Sequence, residues 1–182
     1  MNKIIDVATG EVKVGRNSQV LVSNAIGSCV AVVALDAERN VGGIAHVMLA
    51  GRAPDREKVK TKYAFDAIRA LFRKMRVTDT AGRDVKVFIA GGGNVLKLKD
   101  DTLCAGNIRS TVELLESRGI RIEKKAVGGT QRRRVRLDIR NRTVHWSEGN
   151  SIHENIWKMD RHGSSIHDNI WKTDRQETIR EV

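Results

Sequence analysis

Cys29 and His46 are the two side chains of this sequence whose types and setting suit a nucleophile and its base. Cys29 follows Gly27-Ser28 at the mouth of an apolar run, where glycine permits a tight turn whose backbone N–H groups can face a substrate. A cysteine by itself is more often a small buried hydrophobe, and it is the histidine that sets this one apart. His46 is embedded in Gly42-Gly43-Ile44-Ala45-His46-Val47-Met48-Leu49, where an ionisable ring costs free energy unless it is paired. An imidazole beside a thiol takes its proton, and the thiolate then attacks an amide carbonyl. Backbone donors stabilise the oxyanion, and the imidazolium protonates the departing ammonia or amine. A third polar group ordinarily orients the ring; Ser23, just upstream, is the candidate.

Strands must bring these groups together. Val20–Ser23 is short and β-branched, while Cys29–Leu35 and Val41–Leu49 are nearly continuous apolar runs separated by Asp36-Ala37-Glu38-Arg39-Asn40. A hairpin is the simplest reading. Partners across a hairpin keep a constant index sum, about 75 to 77 for a turn centred near residue 38. Cys29 and His46 lie directly opposite at a sum of 75 and diagonally on one face at 77, whereas 76 puts them on opposite faces. Beyond the hairpin, Arg52–Glu57 reads as a loop, and Lys58–Met75 has apolar residues at helical spacing. A strand at Val85–Ala90 ends in Gly91-Gly92-Gly93-Asn94, and Asn107–Ser117 reads as a second helix stopped by Gly119. Ile120–Val127, Arg133–Ile139 and Thr143–Trp146 are expected to be closing strands, which together predicts an α+β fold.

Several other signals carry less. The glycines at 91–93 lack the Gly-Lys-Ser/Thr of a P-loop and the spacing of a dinucleotide fingerprint, so a structural turn is expected. Cys104 has no histidine near it in sequence, and the cysteines and histidines do not form a metal spacing; no cofactor is expected. Two cysteines are too few for a disulfide framework. With no long apolar stretch and no apolar leader core, a cytoplasmic protein without membrane insertion is expected. The net charge of +11 is uneven: residues 147–182 hold five Lys/Arg and seven Asp/Glu, leaving the body at +13. The basic body suits nucleic acid or an acidic protein surface, and charge alone does not choose; Arg132-Arg133-Arg134-Val135-Arg136 could contact phosphates, but aromatics make up only 4% of the chain, which argues against a single-strand nucleic-acid reader.

Ile26-Gly27-Ser28-Cys29-Val30-Ala31-Val32 and Gly43-Ile44-Ala45-His46-Val47-Met48-Leu49 together resemble the signature of the CheD chemoreceptor glutamine deamidases. Lys62-Tyr63-Ala64, the turn at Gly91–Gly93, Asn107 and Gly128-Gly129 fit the same order over roughly residues 3–146. The resemblance implies a hydrolase that converts glutamines of methyl-accepting chemotaxis receptors to glutamate through a thioester. It implies a Cys-His-Thr triad carried here by Cys29, His46 and Ser23, and a layered α/β/β sandwich similar to the catalytic domain of cytotoxic necrotizing factor toxins. Implied partners are the receptors and a CheC-type phosphatase; the alternative is a noncatalytic module that regulates such a phosphatase. Ser23 stands where the family usually has threonine, Arg132 where it has glycine, and Ala50 where it has proline.

The end of the chain differs in kind. Ser151–Arg161 recurs as Ser165–Arg175, a 14-residue repeat in which Ile152, Ile156 and Trp157 return as Ile166, Ile170 and Trp171. Two short copies cannot build a solenoid. The expectation is a catalytic domain over residues 1–146 and an appended, flexible tail over 147–182, too poor in apolar residues to offset the entropy of ordering.

Overall fold

The computed structural model describes residues 3–77, 85–151, 153–159 and 165–166. Among these, eleven strands make two mixed sheets and two α-helices cover one of them. In chain order the strands are β1 (Ile4–Asp6), β2 (Val12–Arg16), β3 (Val20–Ile26), β4 (Val30–Asp36), β5 (Val41–Val47), β6 (Val85–Gly91), β7 (Ile122–Val127), β8 (Arg133–Asp138), β9 (Thr143–Glu148), β10 (Asn155–Met159) and β11 (Ser165–Ile166). The helices are α1 (Ala64–Lys74) and α2 (Thr102–Glu116). One sheet runs β1-β3-β8-β9-β10-β11 and the other β2-β5-β4-β6-β7.

Two cores follow from this layering. Val30, Val32 and Ala34 of β4 pack with Ile68 and Leu71 of α1 and Leu115 of α2 on one face of the five-stranded sheet. The alternate residues, Ala31, Val33 and Leu35, face Leu21, Val135 and Leu137 of the other sheet. β4 is buried on both faces, which explains why it reads as an unbroken apolar run. The α/β/β layering expected from the sequence is therefore present.

Both helices begin elsewhere than their apolar spacing suggests. Tyr63 is extended (φ −95°, ψ 142°) and bridges Leu49, while the Lys62 carbonyl accepts from the Met48 and Leu49 N–H groups. Residues 58–63 therefore close the end of β5 instead of extending α1. At the other helix, the Asp100 carboxylate accepts the Thr102 N–H at 2.9 Å, so α2 starts ahead of Asn107. Its C-terminus is where glycine predicts it, with Gly119 at φ +67° and the Ile120 N–H bonded to the Leu115 carbonyl.

The first copy of the repeat departs from the expected tail. Asn155–Met159 is β10, antiparallel to β9 with Trp157 opposite Val144. Trp157 is 1% exposed and stacks on Phe88, ring centroids 6.2 Å apart. A single indole in the inter-sheet core outweighs the polar composition around it, so the packed domain extends past residue 146. Of the second copy, Ser165–Ile166 pairs with β10 as β11; Ile170 and Trp171 lie outside the described residues.

Candidate active site

The β4–β5 hairpin sets the first relation. Ala31 pairs with His46 and Val30 with Val47, an index sum of 77. Cys29, one residue before β4, thus lies diagonal to His46 on the face turned toward the other sheet, where its side chain packs on the inter-sheet core. This is one of the two registers that bring thiol and imidazole to the same side.

Ser23 arrives from across the sandwich. It alternates with Leu21 on the inward face of β3, so its hydroxyl enters the space between the sheets. A bulge follows immediately: the β3–β8 register shifts between Ser23 and Ile26, and Ala25 adopts φ +55°. Ser23 Oγ donates to the Val7 carbonyl at 3.0 Å and lies 2.9 Å from His46 Nδ1. A hydroxyl has one hydrogen, and committing it to Val7 leaves Oγ to accept from Nδ1–H. That tautomer carries its lone pair on Nε2, a buried atom with no hydrogen-bond partner among the described residues. His46 is 1% exposed and Ser23 fully buried, so the hydrogen bond compensates for placing a polar ring in a core.

Electrostatics favour uncharged groups at rest. Burial lowers the His46 imidazole pKa below its ordinary value, opposed by the Val7 backbone. Burial also raises the Cys29 thiol, opposed by its own backbone N–H. Burial thus favours the neutral form of both groups, the thiol and the imidazole, on the same face of the sheet. Cys104 is different: buried on α2, its thiol is pushed up to about 11 by burial and by the Asp101 carboxylate, which makes it a poor nucleophile.

The glycine turn at residues 91–93 packs directly behind Cys29. Gly92 N–H bonds the Cys29 carbonyl at 2.7 Å and Gly93 N–H the Gly27 carbonyl at 2.8 Å. Gly91, at φ +122°, has no room for a Cβ, which would collide with the Cys29 carbonyl. The turn is structural, as its lack of phosphate-loop spacing suggests, but its position against Cys29 is not readable from spacing. Nor is the Val7 carbonyl, a backbone group with no side-chain signature. The arginine run is not one solvated face: Arg133 is buried, donates to the Gly128 carbonyl at 2.7 Å and pairs with Glu148 at 3.0 Å. Among the described residues no cluster of His, Cys, Asp and Glu could hold a metal, and no helix is long and apolar enough to cross a membrane.

Comparison with known proteins decides the family. Residues 48–148 match the model described as CheD chemotactic sensory transduction. A probable chemoreceptor glutamine deamidase CheD of Chlorobium luteolum is 34% identical over 155 residues, covering 85% of this chain and 77% of the relative. The chain belongs to the CheD family. The chemoreceptor glutamine deamidase CheD of Thermotoga maritima is 32% identical over 139 residues, 76% of this chain and 87% of its own length. A probable CheD deamidase of Methanococcus maripaludis strain S2 is 28% identical over 151 residues, 82% of this chain and 97% of its own length. The CheD family model begins after both Cys29 and His46, whereas any stretch of 155 residues within 182 includes them.

Proposed function

We propose that this CheD-family chain deamidates glutamine side chains of methyl-accepting chemotaxis receptors, with Cys29 as nucleophile, His46 as base and Ser23 as the group that orients the base. The observation that carries the reading is the Val7–Ser23–His46 chain of hydrogen bonds, which leaves Nε2 without a partner among the described residues, in a ring on the same strand face as Cys29.

Cys29 Sγ attacks the side-chain carbonyl carbon of glutamine while its proton passes to His46 Nε2. The Cys29 N–H, on the same residue as the sulfur, serves as the oxyanion donor. The imidazolium returns the proton to the departing nitrogen, ammonia leaves, and a thioester remains. Water, deprotonated by His46, then attacks the thioester; the thiol leaves and glutamate is released. Ser23 receives Nδ1–H throughout and stabilises the transient imidazolium as a neutral acceptor, in the place a carboxylate or amide takes in other triads.

A noncatalytic module controlling a CheC-type phosphatase would have little use for a buried imidazole held in one tautomer. The test is mass spectrometry of a receptor cytoplasmic fragment after incubation with the chain. Conversion of individual glutamines to glutamate, absent with Cys29→Ala, is expected. A fragment left unchanged by the parent chain would sink the enzyme reading and leave the regulatory one.

A further inference from the structure

Asn107 is fully buried in α2, on the face it shares with Cys104, Thr111 and Leu115. An amide there must use its hydrogen-bonding groups or lose stability. Its Nδ2 donates to the Ser28 carbonyl at 2.9 Å and to the Met48 carbonyl at 2.8 Å. Both acceptors are carbonyls, which fixes which end of the amide is nitrogen. They lie where β4 and β5 part: the ladder ends at Val30–Val47, with Met48 the next residue after β5 and Ser28 the second residue before β4. Asn107 thus replaces the missing backbone partner of both segments, one leading into the nucleophile and the other leading away from the base. Its Oδ1 is buried without a partner among the described residues, a penalty that an apolar residue at 107 would avoid. The two donors are what the position supplies.

The Ser28 bond has a directional consequence. Three successive carbonyls, Gly27, Ser28 and Cys29, are held from behind by Gly93 N–H, Asn107 Nδ2 and Gly92 N–H. A trans peptide is planar, with C=O and N–H pointing opposite ways. Drawing the Ser28 carbonyl toward α2 therefore turns the Cys29 N–H away from the helix. That N–H lies beside the nucleophilic sulfur, where the oxygen of an attacked carbonyl becomes negative.

We propose that Asn107 is a positioning residue that sets the oxyanion donor, holding the Ser28–Cys29 peptide so that the Cys29 N–H faces the tetrahedral intermediate. This rests on the deamidase reading above and adds to it a specific division of labour. Deamidation passes through an oxyanion, whereas alkylation of the same thiol by iodoacetamide does not. Loss of Asn107 should separate the two reactions.

The experiment compares the full chain with Asn107→Leu, similar in size but without donors. For glutamine in a receptor fragment, kcat is expected to fall by about 10²-fold, the scale for losing one oxyanion donor, with KM little changed. Iodoacetamide alkylation of Cys29 should keep the parent's rate and pH profile. If the leucine variant does not fold, Asn107→Ser carries the same comparison, because a serine hydroxyl satisfies itself on the preceding helical turn. Turnover equal to an active parent overturns the proposal, as does a parallel loss of turnover and alkylation, which would place the effect on the thiol or the fold. A parent that deamidates nothing overturns the deamidase reading and this proposal with it.

Discussion

The two faces of the five-stranded sheet are built from the same strands and do different work. On the helix side, β4 and β5 meet α1 and α2 through Val, Ala, Ile, Leu and Met in a core that is apolar but for Asn107 and Thr111 of α2. On the other side, the same strands meet the second sheet through an apolar interior that gives way, at one end, to Ser23, His46 and Cys29. Strand geometry makes this possible, since successive side chains point to opposite faces and neighbours in sequence can serve separate ends. Val47 and Val30 stabilise; His46 and Cys29, one position away, are the proposed reacting groups. The helix-side face carries the stability that lets the inter-sheet face bury polar groups.

That contrast can be broken at several points. The largest expected effect is Cys29→Ala, which should lower deamidation by about 10⁴-fold or more while leaving the fold intact. Cys104→Ala should retain most activity, and ammonia release measures both. Next in size is a chain ending at Gly149. It loses β10 and, with it, Trp157 and Met159 from the inter-sheet core. By the scale of large-to-small core changes this costs about 3–5 kcal/mol or more, against a total stability of about 5–15 kcal/mol. Urea denaturation should show a much lowered midpoint; a truncated chain as stable as the parent would mean that the sandwich does not depend on β10. On the other face, Ile68→Ala should cost about 2–5 kcal/mol with kcat per folded molecule unchanged. A fall in kcat there would show that the two faces are coupled.

Smaller effects sharpen the site itself. Ser23→Ala should slow turnover by about ten- to a hundredfold, as the ring loses the acceptor that fixes it. Ser23→Thr should keep or raise activity, because β-branching restricts the hydroxyl. Activity equal to the parent in Ser23→Ala would reduce the site to a Cys–His pair. Finally, burial holds His46 neutral below its ordinary value of 6.5. Turnover needs the neutral ring, so the acid limb of kcat/KM should lie below pH 6.5. The unfolded chain binds that proton more readily than the folded one. Stability therefore falls as pH drops from about 6.5 through the folded pKa.

The hairpin was legible in the sequence, and Cys29 and His46 stood out as a candidate pair, because each leaves a local trace; the register that puts them on one face stayed open among three index sums. Asp36–Asn40 marks a turn, and an imidazole inside an apolar run demands a partner. Ser23 was legible only as a hydroxyl on an upstream strand; that it arrives from the opposite sheet depends on long-range pairing that no local pattern encodes. β1 is three residues long and β11 two, below the length at which alternation becomes a signal. β10 was hidden by its setting, since Trp157 and Met159 bury a short strand within a largely polar stretch. The glycine turn behind Cys29 and the amide of Asn107 show the same limit. Residue types announce a turn or a helix face, but the atoms they hold lie far away in sequence.

Ser23 is held in register by Val135, and β3 has no sheet neighbour closer in sequence than β8 except the three-residue β1. Cys29 and His46, the proposed nucleophile and base, in contrast sit on a hairpin that closes locally. During synthesis the hairpin can form as soon as it leaves the ribosome, while the strand that seats the orienting hydroxyl waits for most of the chain to be made. A nascent chain thus carries a thiol and an imidazole without the contact that aligns them, and the completed fold is what arms the site.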